Sequence, residues 1–258
     1  MKEHAEKCIH ERLTRIAFEM RRARHTPDEE AVHDLRVSIR RLWAALRYFR
    51  EFTGDAYGAR MKQTLKPVMK LAGEVRNRDI ALAFGQEAKL SSRSALVSRL
   101  TQERKKAVEP LRQAIAKPKW RVTIKGDPEA KPTPPVDLFA KFHRRGAKAA
   151  RDKADWDDLH RFRLQAKRLR YVLEIYEPFY GPGLKRRIEK IRKIQQVLGE
   201  INDAETVLAL DAVRTDNRMR AWLRKRRVER RDRFRELWRD EFADSQKRWT
   251  AYLKKTKS

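Results

Sequence analysis

Cysteine is nearly missing from this chain: Cys8 is the only one in 258 residues. A lone thiol makes no intrachain disulfide and no cysteine-based metal site, which excludes stapled secreted scaffolds and fits a reducing compartment. Long apolar runs are missing as well. No segment approaches the roughly 18 apolar residues of a membrane span. Met1 to Glu11 carries charges and histidines where a secretion signal has its apolar core. The expectation is a soluble, cytoplasmic protein with no membrane contact. Acids are in deficit: 36 Asp and Glu stand against 64 Lys and Arg, a net charge of +28. Self-repulsion at that charge costs stability and no fold requires it, so a polyanionic partner is expected.

What is present in quantity is helix-forming sequence. Hydrophobic residues make up 40% and charged residues 39%, a balance that suits a solvated helical protein with a sizeable core. Apolar residues recur at helical spacing almost throughout, and period-2 alternation is rare. The pattern predicts helices near 3–25, 28–52, 56–89, 91–116, 136–153, 156–178, 182–213 and 216–255. Thr26-Pro27-Asp28-Glu29 reads as a stop followed by an acidic first turn. Between residues 117 and 135 lie Pro118, Gly126, Pro128, Pro132, Pro134 and Pro135, the composition of an exposed linker, with a short strand-like piece at 120–124. The expected organisation is one domain over 1–258: a four-helix half over 1–116, the linker over 117–135, and a second half over 136–258.

The halves repeat one another. Val32-His33-Asp34-Leu35-Arg36-Val37-Ser38-Ile39-Arg40-Arg41-Leu42 returns as Leu159-His160-Arg161-Phe162-Arg163-Leu164-Gln165-Ala166-Lys167-Arg168-Leu169. The register runs without a gap to Phe52 and Phe179, and Gly54 and Gly181 end both segments. Upstream, Arg21 and Arg24 match Lys148 and Arg151. Downstream, Leu71-Ala72-Gly73-Glu74-Val75 resembles Val197-Leu198-Gly199-Glu200-Ile201. A helical glycine costs about 1 kcal/mol relative to alanine, so one repeated there implies a kink or a close approach.

At about 100° per residue, His33, Arg36, Arg40 and Arg47 fall within about 60° of one another on a helix. Val32, Leu35, Ile39, Leu42 and Leu46 lie roughly opposite. In the second copy His160, Arg163, Lys167, Arg170 and Tyr171 share a face, and Phe162, Ala166, Leu169 and Leu173 form the core side. Exposed helices ordinarily interleave acids with bases, because like charges four residues apart repel. Arg36-Arg40 and Arg163-Lys167 break that rule in both copies, so a solvated face is the weaker reading and a phosphate-binding stripe the stronger. The arginine fork matches phosphate oxygens, and a histidine among arginines serves as a neutral donor or becomes charged when an anion arrives. The surrounding cations disfavour a metal at His33 or His160, so no metal and no cofactor is expected. Glu174 interrupts the second stripe and is placed to orient one of its arginines. Arg41 and Arg168, off the stripe, are placed to pair with acids such as Asp79 or Asp203. His4, His10, His25 and His143 show no ligand spacing and read as surface residues.

His33-x-x-Arg36-Val37-x-x-Arg40-Arg41-Leu42 and His160-x-x-Arg163-Leu164-x-x-Lys167-Arg168-Leu169-Arg170-Tyr171-x-x-Glu174 resemble the two signatures of the CHAD family, the conserved histidine α-helical domain. Gly73-Glu74-Val75-Arg76-Asn77-Arg78-Asp79 is similar to its first Gly-x-x-Arg-Asp-x-Asp segment, with Asn77 in place of the first acid. Leu198-Gly199-Glu200-Ile201-Asn202-Asp203 is similar to its second. The resemblance implies an all-α fold, two pseudo-symmetric four-helix halves forming one helical bundle around a basic central cavity, and binding of inorganic polyphosphate. By the same resemblance some members sit at polyphosphate granules. Many members carry a CYTH triphosphatase domain, whose Glu-x-Glu-x-Lys signature this chain lacks.

The leading expectation is therefore a non-catalytic polyphosphate-binding protein. Its contacts would be Arg36, Arg40, Arg47, Arg163, Lys167 and Arg170, with His33, His160 and Tyr171 as donors and Arg21, Arg24, Lys148, Arg151 and Arg76 as outer cations. The alternative is nucleic-acid binding, drawn from the net charge and the arginine-rich stretch from Arg218 to Arg239. There, however, Glu229, Asp232, Glu236 and Asp240 interleave, and Met219, Trp222, Leu223, Phe234, Leu237 and Trp238 follow a core spacing. A phosphoanhydride-processing enzyme is the third reading. It would need metal-holding carboxylates or a Gly-x-x-x-x-Gly-Lys loop, and neither stands on the cationic faces.

Overall fold

The computed structural model describes residues 2–115 and 135–255. Eleven helices are described, and no strand occurs among the described residues. They are α1 (Lys2–His25), α2 (Glu29–Tyr48), α3 (Arg50–Thr53), α4 (Asp55–Glu87), α5 (Ala95–Ile115), α6 (Pro135–Ala149), α7 (Trp156–Tyr180), α8 (Pro182–Leu208), α9 (Asp211–Arg214), α10 (Asn217–Glu241) and α11 (Gln246–Lys254). The protein is all-α, as the periodicity predicts. The linker predicted over 117–135, with its strand-like piece at 120–124, lies outside the described residues except for Pro135, which opens α6.

The two histidine helices, α2 and α7, begin and end alike. Asp28 and Asp155 are extended N-caps whose carboxylates accept from the amides of Ala31 and Asp158, both at 2.7 Å. Asp28 and Asp155 stand at the same offset as His33 and His160. So do Gly54 and Gly181, which end the two segments at φ +75° and +71°, conformations that an L side chain rarely adopts. Three predicted helices, 28–52, 182–213 and 216–255, each fall into two, and a fourth, 91–116, starts late, where local chemistry competes with the apolar period. Phe49 separates α2 from α3. Ser94 Oγ accepts from Val97 N at 3.3 Å, so α5 starts at Ala95 rather than near 91. Ser245 Oγ donates to Phe242 O at 2.9 Å between α10 and α11.

The described chain forms two compact units. One takes residues up to 115 and 206–220, the other 135–205 and 221–255. The chain therefore returns to the first unit late, through α9, which packs on α5.

In the first unit α1 packs on α2, α2 on α4, α4 on α5, and α5 back on α1, which closes a four-helix ring. Leu35, Ile39 and Leu42 of α2 are fully buried against this core, as are Ile9 and Ile16 of α1 and Leu65 of α4. Each such side chain contributes about 1.5–3 kcal/mol relative to exposure. Arg104 of α5 donates to Asp79, which is 4% exposed on α4, and to Pro27 O at 2.8 Å, locking three segments together. Burial, ahead of every opposing influence, pushes the Asp79 carboxyl above the ordinary range.

The second unit has an aromatic core. Phe162 of α7 packs on Phe142 of α6 and on Phe234 and Trp238 of α10. Phe139 stacks on Trp249 of α11 at 4.6 Å. Gly146 is obligatory: a Cβ there would come within 2.0 Å of the Trp238 ring. His143, expected at the surface, instead lies partly buried in this cluster. Its Nε2–H donates to Phe242 O at 3.0 Å, because a carbonyl oxygen can only accept.

Candidate functional site

On α2 the core stripe faces inward as predicted, with Leu35, Ile39 and Leu42 fully buried and Leu46 4% exposed. That orientation turns His33, Arg36, Arg40 and Arg47 away from the core. Arg36 is held most firmly: its Nη1 donates to Met69 O of α4 at 2.9 Å. One turn along α4, a Cβ on Gly73 would meet Arg36 Nη1 at 2.8 Å. The glycine that the sequence flags as a close approach is thus the space an arginine occupies. Gly199, its counterpart in the repeat, has nothing within 4 Å of the equivalent position. The close-approach reading holds for the first copy and not for the second.

Arg76, three residues past Gly73, reaches the same place. Its Nη1 lies 2.5 Å from Glu29 Oε1 in the first turn of α2. His33, beside these cations, has a pKa below its ordinary value of 6.5. Desolvation of the ring is the largest cause and Arg76 follows; Asp34 pulls the other way, and Arg40 and Arg36 each add a smaller downward push. His33 is therefore neutral at physiological pH and faces three arginines. Arg40 and Arg47 have no carboxylate ion-pair partner among the described residues. Of the outer cations, Arg21 and Arg24 are exposed on α1. Their neighbour Arg22 takes the structural role instead, bridging Glu30 at 2.6 Å and Asp34 at 3.0 Å.

In the second unit Phe162, Ala166, Leu169 and Leu173 are fully buried, which orients His160, Arg163, Lys167 and Arg170 on the other side of α7, each partly exposed. Glu174 does orient a stripe arginine: its Oε1 accepts from Arg170 Nη1 at 3.0 Å and from Arg192 Nη2 of α8 at 3.3 Å. Tyr171 is only 7% exposed, and the Arg170 guanidinium sits 4.7 Å from its ring centre. The tyrosine supports Arg170 from beneath. His160 packs on Trp156 at 5.8 Å, and its Nδ1 is buried without a hydrogen-bond partner. Lys148 reaches Asp158 Oδ1 at 2.8 Å, a contact Arg161 shares at 3.0 Å. The hydrogen bond from Lys148 is the largest influence lowering the Asp158 carboxyl below its ordinary range. Arg151 is exposed at the end of this segment.

Arg192 and Arg104 are the functional neighbours that sequence reasoning missed. Arg192 reaches its stripe partner across 18 positions, and Arg104 reaches Asp79 across 25. The register of one helix against another leaves no trace in either helix's own period. Trp156 was readable in principle, since it stands four residues before His160 on the same helix face.

The fold and this pair of helices define an all-α protein that carries the same histidine–arginine segment in each of its units. The chain belongs to the CHAD domain family, whose model matches residues 7–212. Two solved structures share its fold. The crystal structure of the CHAD domain from the plant Ricinus communis is 18% identical with a TM-score of 0.65, covering 100% of this chain and 92% of that one. PptA from Streptomyces chartreusis is 18% identical with a TM-score of 0.67, covering 93% of this chain and 99% of its own. No curated protein matches the chain.

Proposed function

We propose that this protein binds inorganic polyphosphate through the cationic faces of α2 and α7 and does not process it. The observation that carries the reading is the face of α2 itself, which presents His33, Arg36, Arg40 and Arg47 away from the core, Arg40 and Arg47 having no carboxylate ion-pair partner among the described residues. Cations gathered in this way, beside a histidine held neutral chiefly by desolvation and then by Arg76, form a site in need of an anion. A bound phosphate relieves their repulsion and lets the imidazole charge. From His33 to Arg47 the face runs about 20 Å along the helix, which suits a linear chain of phosphates rather than a single one. Recurrence of the segment on α7 supports a ligand long enough to occupy two cationic faces. Residence at polyphosphate granules is part of this proposal.

Hydrolysis would call for carboxylates able to hold a metal. The acids beside the stripes have other work: Glu29 pairs with Arg76, Asp34 with Arg22, Asp158 with Lys148, and Glu174 with Arg170 and Arg192. Nucleic-acid binding through α10 is disfavoured in the same way. Arg226 and Arg230 pair with Glu200, Arg227 with Glu205, and Arg231 and Arg235 donate to backbone carbonyls around Asp152. The deciding experiment is Arg40→Glu combined with Lys167→Glu. Polyphosphate binding should fall at least a hundredfold while helical content stays that of the wild type. Unfolding of the double variant would show the stripes to be structural ion-pair partners and would overturn the reading.

A further inference from the structure

One cleft in the second unit lies outside both cationic faces. It encloses about 200 Å³ between the first turn of α7 and the facing stretches of α8 and α10. Its apolar walls are Trp156, Leu159, Ile201 and Val228, and its polar edge is formed by Glu205, Arg227 and Arg231. Two of the walls are open to solvent: Trp156 remains 37% exposed and Val228 57%. Exposed apolar side chains that border a common cleft call for a ligand. Drug-sized ligands occupy roughly 300–1,000 Å³, so this cleft holds one ring system and leaves the rest of its ligand outside.

The polar edge narrows the chemistry. Glu205 and Arg227 are paired with each other, which sets a carboxylate acceptor directly beside guanidinium donors. Arg231 is fixed by Nη2 donation to the carbonyls of Asp152, at 3.0 Å, and Ala154. A bare phosphate could use the arginines but neither the indole nor the carboxylate. A plain hydrocarbon ring could use the indole but would gain nothing from the charged edge. A purine uses all three: its faces stack on an aromatic ring, and its edge carries N–H donors next to carbonyl or ring-nitrogen acceptors. From the juxtaposition of Trp156, Val228, Glu205 and Arg227 we infer that this cleft binds the base of a purine nucleotide. The phosphates then extend outside the cleft toward His160, which touches the Trp156 ring at 5.8 Å and whose side chain begins the cationic face of α7.

The test uses the full chain and compares guanosine diphosphate with pyrophosphate, which carries the same number of phosphates and no base. The wild type should bind the nucleotide at least about fivefold more tightly, the low end of what base–aromatic stacking contributes. Trp156→Ala should bring the two to within about twofold, and Trp156→Phe, which keeps a stacking face, should retain most of the preference. Circular dichroism of both variants checks the fold. Equal binding of nucleotide and pyrophosphate by the wild type overturns the inference, as does a preference that survives Trp156→Ala or equal binding of uridine and guanosine diphosphates. Because the readout is a ratio between ligands of like charge, it stands whether or not the cationic faces bind long polyphosphate.

Discussion

Gly73 and His33 show how single residues tune the first stripe. The Cβ of Gly73→Ala would meet only the tip of the Arg36 side chain, which can swing away at little cost in stability. Swinging away breaks the 2.9 Å bond to Met69 O that fixes the guanidinium. Gly73→Ala should therefore lower polyphosphate affinity about tenfold while moving stability by less than about 1 kcal/mol, since alanine itself favours the helix. Titration and thermal melts on one preparation check both halves of this. His33 gives a pH signature. Its pKa in the free protein lies below 6.5, so the neutral ring is the form the fold prefers. The stability this confers is present above 6.5 and is lost as pH falls through the lowered value. An anion reverses the preference, so binding should take up protons and tighten from pH 7.5 to 5.5. Calorimetry in buffers of differing ionisation enthalpy should show that uptake shrinking in His33→Gln. An unchanged uptake would remove His33 from the site.

At the scale of the elements, most of the fold was legible because each helix carries its own apolar stripe. The repeat also marks the ends of the two histidine segments at Gly54 and Gly181, whereas the matching N-caps Asp28 and Asp155 emerge only in the structure. The interruptions at Phe49, before Ala95 and at Ser245 were not legible, because a serine side chain or a backbone bend competes locally with a period that continues through it. Packing between helices was legible only where a glycine stood out. Gly146→Ala should destabilise the second unit by about 1–3 kcal/mol, because the Trp238 ring is wedged in a rigid aromatic cluster and cannot yield as Arg36 can. Asp79→Ala should cost the first unit about 3 kcal/mol by leaving Arg104 without its buried partner. Chemical denaturation of each variant measures both. A Gly146→Ala protein as stable as the wild type would contradict the close packing of α6 on α10.

At the scale of the whole molecule, the net charge of +28 is shared unevenly between surfaces with different work. Many arginines of α10 are consumed by Glu200, Glu205 and backbone carbonyls, whereas Arg40 and Arg47 have no carboxylate partner among the described residues. Composition alone could announce a polyanion but not which cations await it, because that depends on which acids the fold brings within reach. The late return of residues 206–220 to the first unit was likewise invisible in the helical period. No helix among the described residues is long and apolar enough to cross a membrane. If the ligand is gripped by both stripes, reversing either alone should cost nearly as much affinity as reversing both, since the second contact is lost with the first. The most direct measurement is competition between long-chain polyphosphate and duplex DNA for the wild-type protein at one physiological salt concentration. Both affinities fall with salt through counterion release, so matched salt isolates the shape of the ligand. A narrow cationic stripe favours a thin flexible chain over a duplex roughly 20 Å across, so polyphosphate should displace DNA at least tenfold more effectively per charge. Equal or tighter binding of the duplex would contradict the account.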